Sequence, residues 1–206
     1  MPVDIEIPLD RTTLEPPRKR WTRAECAALE STGLLDQQSL ELVEGELINR
    51  MGKKRSHVNS FTLVLEWLIR TFGARFVNVE APIDVAPEDN LTSEPQPDAI
   101  ILKRANFPSA NPGPEDLHLV VEIADSSLGF GPRTKAALYA RAGIAEYWVL
   151  DVAGRRLLVH REPRSGQYAS VAAYSEDESV VPLSAPHAAF RVADAFPEPT
   201  QPQSVL

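Results

Sequence analysis

The spacing of apolar and polar positions changes several times along the chain, and each change marks an element. Thr22-Arg23-Ala24-Glu25 has the form of a capping box: a hydroxyl to accept from the first turn and a carboxylate three residues on to reach back. It predicts a short helix over 23–31, closed by Gly33. Residues 40–48 alternate as a hairpin does, with its tight turn at Glu44-Gly45. Val58, Phe61, Leu65, Leu68, Ile69 and Phe72 recur every three or four residues, which predicts an amphipathic helix over 57–72 ended by Gly73. Residues 75–80 and 83–85 read as two strands separated by Pro82.

The most strand-like part follows. Pro95 and Pro97 force extended backbone ahead of Asp98-Ala99-Ile100-Ile101-Leu102. A loop rich in proline separates that run from 117–123, where Leu119, Val120, Val121 and Ile123 are continuous rather than alternating, as in a strand buried on both faces. After a turn at Asp125-Ser126-Ser127, Pro132 opens a helix to about Arg141 on which Lys135, Leu138, Tyr139 and Ala142 share a face. Strands are expected at 146–151, 156–161 and 168–174. The order of helices and strands predicts an α/β (α+β) domain, a mixed β-sheet flanked by helices. Residues 1–20 are expected to be a flexible arm, 21–193 the domain, and 194–206 a proline-rich tail.

Each of two apolar runs carries one carboxylate, Asp98 at the start of the first and Glu122 inside the second. An isolated carboxylate in a core costs several kcal/mol unless it is paired, protonated or bound to a cation. Two acids on neighbouring strands with a lysine on the next helix form the donor set of a magnesium-dependent hydrolytic site. The ordinary alternative is that each acid faces water, which is easier for Asp98 than for Glu122. Three more acids, Glu41, Glu44 and Glu46, lie on the hairpin; they either form its wet face or send one carboxylate to the same cleft. The cations Lys53, Lys54 and Arg55 precede His57, so this histidine is either a surface or capping residue or a phosphate contact.

Composition narrows the choice. The chain has 206 residues and a formal net charge of −8, which argues against a general nucleic-acid coating protein but not against an enzyme that gathers cations on one face. One cysteine, Cys26, and four histidines make no zinc set, and Cys26 reads as a small buried side chain. No apolar run is long enough to span a bilayer, and Met1 to Asp10 lacks the basic region of a secretory signal, so the expectation is a cytoplasmic protein with no membrane partner.

A resemblance adds to this reading. Residues 41–47, His57 opening a helix, Pro97-Asp98, the run from Val121 to Leu128, Lys135 with 138–144, and 146–151 together closely resemble the Uma2 family. This bacterial family is classed with the restriction endonucleases in the PD-(D/E)XK nuclease superfamily. The resemblance covers about 40–161, and the order of its short motifs makes it specific as a set. It implies a restriction-endonuclease-like core, with Asp98 and Glu122 as the two acids of the superfamily motif. The lysine expected two residues after the second acid is Ala124 here, which points to Lys135 on the following helix. Glu44 or Glu41 would be the early acid, and His57 a residue beside the site. Family members commonly carry an aspartate shortly before the lysine; this chain has Gly131.

The expected activity is metal-dependent hydrolysis of DNA phosphodiester bonds. Asp98, Glu122 and Lys135 would be catalytic, Asp98, Glu122 and Glu44 would hold Mg2+ or Mn2+, and His57, Lys54 and Arg55 would contact phosphate. RNA is an alternative substrate, a homodimer a plausible assembly, and a decayed nuclease fold that binds nucleic acid or protein the non-enzymatic alternative.

Overall fold

The computed structural model describes residues 18–35, 39–50, 54–105, 110–125 and 130–197. Arm residues 1–17, Lys53, Ser126-Ser127 and tail residues 198–206 lie outside these segments.

The capping box forms as expected. Thr22 accepts from the Glu25 amide, and the Glu25 carboxylate takes the Thr22 N–H, opening helix α1, Arg23–Glu30. Strands β1, Leu40–Val43, and β2, Glu46–Asn49, pair with Val43 opposite Glu46, which leaves Glu44-Gly45 as a two-residue turn. Both turn residues have positive φ, 50° and 77°, the backbone hand that matches strand twist in a tight hairpin. Helix α2 runs over Arg55–Phe72, two residues earlier than expected.

Strands β3 (Val77–Val79), β4 (Ala99–Leu102), β5 (Leu117–Ala124), β6 (Glu146–Asp151), β7 (Arg156–Arg164) and β8 (Gln167–Ser175) form one six-stranded sheet in chain order. Only β5 and β6 run parallel, joined by helix α3, Phe130–Arg141; the other neighbours are antiparallel. Two two-residue strands, β9 (Ser179–Val180) and β10 (Phe190–Arg191), pair beside this sheet.

Both faces of the sheet are covered. On one face α2 packs Val64, Trp67 and Leu68 on Ala99, Ile101, Leu119, Val121, Trp148 and Leu150, with Phe190, Val192 and Phe196 closing the layer. On the other face α3 and the hairpin set Leu138, Tyr139 and Val43 on Ile100, Val120, Tyr147 and Val149. Burial from both sides explains why 117–123 and 146–151 read as continuous apolar runs.

Three expectations change. The α2 stripe is rotated: Val58 and Ile69 are exposed, while Trp67 turns inward to stack on Trp148 at 6.0 Å. Residues 83–85 form no strand. Pro82 offers no amide, and the Ile83 and Asp84 amides donate to the carbonyls of Pro95 and Pro112 instead of to a ladder. The domain also extends past 193, since Ala195 and Phe196 are buried in the core. At the other end, Arg20 of the expected arm is tied down, donating to the Glu44 carbonyl at 2.7 Å. Among the described residues, no helix is long and apolar enough to cross a membrane.

Candidate active site

The antiparallel register of β4 and β5 builds the site. The ladder pairs Ala99 with Val121, and one further step sets Asp98 across from Glu122. Side chains alternate across a strand, so both acids share the face of Ile100 and Val120, under α3. Like charges directly opposite destabilise a strand pair, and here Asp98 is buried, at 4% exposed, and Glu122 is part-buried. Each has found partners. Asp98 Oδ2 accepts the Ile123 N–H at 2.8 Å. Glu122 Oε1 accepts from Lys135 at 2.8 Å and from the Tyr139 hydroxyl at 3.4 Å. The helical spacing of Lys135 and Tyr139 therefore aims both side chains at one oxygen.

Lys135 is buried and makes a second ion pair, 2.8 Å to Glu41 Oε2. Glu41 itself also accepts the Gln96 N–H at 3.1 Å. Two carboxylates, Glu41 and Glu122, thus flank a single ammonium. Burial pushes Glu122 up to about 7; Lys135 opposes that rise, and Asp98 and Glu41 reinforce it. For Lys135, burial alone would lower the pKa, but the Glu122 and Glu41 carboxylates outweigh it and leave it raised. The lysine is held as an ammonium, suited to stabilising negative charge and unsuited to taking a proton. Burial, and next the Glu122 charge, push the Tyr139 hydroxyl far up, so it stays a donor.

His57 enters from α2. His57 lies three and seven residues before Ser60 and Val64 on the inward face of α2 and is 6% exposed, so it is not a surface cap. Its Nε2 lies 3.4 Å from Asp98 Oδ1 and its Nδ1 lies 3.6 Å from Asp125 Oδ2. Among the described residues, Nε2 has no hydrogen-bond partner. Ser56 donates to Asp125 Oδ1 at 3.0 Å and fixes that carboxylate. Lys54 and Arg55 are exposed at the start of α2.

Asp98, Glu122 and Lys135 therefore converge as expected, and His57 joins them, but Glu44 does not. It sits in the hairpin turn and ion-pairs with Arg141 at 2.5 Å, with Asp89 completing that surface cluster. The early acid of the pocket is Glu41, which β1 turns inward. Asp125 was read only as part of a turn. The one signal for it was its place immediately past the strand that carries Glu122.

Hard oxygen donors of this kind suit magnesium or manganese. Among the described residues no three of His, Cys, Asp and Glu gather as a metal-ligand group. Magnesium, however, is commonly held by one or two carboxylates, with water and substrate phosphate completing the shell. Two facing carboxylates, one of them with a raised pKa, fit such a cation.

A family model, "Uma2: Putative restriction endonuclease", matches residues 25–193. The chain belongs to the Uma2 family. As a Uma2 member it also shares its fold with a crystal structure of a putative nuclease of the DUF820 family from Anabaena variabilis. The TM-score is 0.62 at 14% identity, covering 78% of this chain and 90% of that one. No curated protein matches the chain.

Proposed function

We propose that the protein is a metal-dependent endonuclease that hydrolyses phosphodiester bonds of DNA. The observation that carries this reading is the cross-strand apposition of Asp98 and Glu122 beside a buried, charged Lys135. Asp98 and Glu122 would hold Mg2+ or Mn2+, which supplies Lewis-acid polarisation of the phosphate and eases ionisation of a water. The chain's own groups do the rest. Lys135, held charged by Glu41, orients the attacking water and offsets charge that develops at phosphorus. Asp98 and Asp125 lie against the two ring nitrogens of His57 and keep the ring in the pocket beside the reacting groups. Lys54 and Arg55 lie at the start of α2, two and three residues before His57, and neutralise the phosphate backbone outside the pocket.

A second reading, a nuclease fold retained for binding alone, is favoured by one observation. The Glu41–Lys135–Glu122 triad is already closed by ion pairs, as a structural cluster would be. Incubation of supercoiled plasmid with the protein and Mg2+ or Mn2+ separates the two. The nuclease reading expects nicked or linear product from the parent, none with a chelator, and at least a hundredfold less from Glu122→Gln. Equal cutting by parent and variant would overturn the site, and no cutting of DNA or of a parallel RNA substrate would favour the binding module.

A further inference from the structure

β8 is the outer strand of the main sheet, and its free edge lacks the devices that prevent strand pairing. Edge strands are normally kept short, charged, bulged or interrupted by proline. β8 is nine residues long, Gln167–Ser175, and contains no charged residue and no proline. The opposite edge, β3, has only three residues. The strand beside β8 carries Arg156, Arg161, Glu162 and Arg164, so the lack of charge is confined to the edge itself. At its midpoint Val171, a β-branched apolar side chain, is 57% exposed among the described residues.

The strand is also symmetric in sequence about Val171. Ser170 and Ala172 flank it, then Ala169 and Ala173, then Tyr168 and Tyr174. When two identical strands pair antiparallel about a two-fold axis, each residue faces the one equally far on the other side of that axis. An axis through Val171 would set Val171 against its own copy, and Ala169 against Ala173 of the second copy. From Tyr168 to Tyr174 every facing pair then matches closely in size, and no charge is buried. A foreign strand would gain nothing from this symmetry.

We propose that the protein is a homodimer in which β8 of each copy pairs antiparallel across a two-fold axis at Val171, joining the two sheets into one. The proposal is independent of the chemistry assigned to the pocket.

Sedimentation of the full chain at micromolar concentration, with variants at exposed positions, tests it. The parent should sediment as a dimer, and Val171→Lys, which puts two ammonium groups face to face, as a folded monomer. Cys26 is buried, so Val171→Cys supplies an accessible thiol directly opposite its own copy, within disulfide reach. It should oxidise to a linked dimer at least tenfold faster than Ser175→Cys, whose thiol lies at the end of the ladder. A monomeric parent, a dimer that survives Val171→Lys, or equal cross-linking at both positions would overturn the proposal.

Discussion

Glu122 sets the chemistry of the pocket, and its environment gives a testable pH dependence. Burial lifts its pKa from the ordinary 4.5 to about 7. Between those values the folded protein keeps a proton that the unfolded chain has released, so stability falls as pH rises through this window. The loss is on the order of 3 kcal/mol. Glu122→Gln keeps the shape without the titration. Urea unfolding of metal-free parent and Glu122→Gln at pH 5 and pH 8 should show the parent losing ground to the variant at the higher pH; an unchanged or reversed gap would refute the assignment. The acid and its lysine were legible as residues, because a carboxylate inside a continuous apolar run needs a partner. Glu41 was not separable from Glu44. β1 is buried at Leu42 and Val43 as well as at Glu41, so alternation did not mark a single inward face. His57 was hidden for a different reason: it shares the inward face of α2 with Ser60, Val64 and Trp67, not the face that the apolar stripe marked.

At the scale of elements, the β1–β2 turn holds Glu41 in register, and the chain before α1 closes over it. The Trp21 amide donates to the Gly45 carbonyl at 2.7 Å. Gly45 has φ +77°, and a Cβ there would lie 2.8 Å from the Arg20 Cβ. Gly143, after α3, has a similar φ of +74° but open space around it. Alanine at Gly143 should therefore cost only the left-handed backbone penalty, about 1–2 kcal/mol. Gly45→Ala should cost distinctly more, because Arg20 must also move. Equal shifts in the two denaturation midpoints would contradict this packing. The hairpin was legible because its turn chemistry is local. The rotation of α2 was not, because it depends on Trp67 meeting Trp148 and Phe190, the latter at 4.8 Å and more than a hundred residues away in sequence.

For the whole molecule, the order of helices and strands and the mixed sheet were readable from hydrophobic period. The reach of the domain was not. Residues near the end looked like tail because prolines crowd there, yet Phe196 seals the α2 face of the core, and the Arg155 guanidinium lies 4.5 Å over its ring. On the proposed reading the pocket of this chain, whose net charge is −8, takes the cation, and the α2 start, with Lys54 and Arg55, takes the phosphate. The proposed activity requires Asp98 and Glu122 to form a seat for a divalent ion in the folded chain. The most direct test is titration of Mn2+ into the purified protein, followed by the loss of the free-ion electron paramagnetic resonance signal. The parent should take up Mn2+ with saturation, while Asp98→Asn and Glu122→Gln should each bind at least tenfold more weakly. Binding that is absent in the parent, or undiminished in both variants, would contradict the claim.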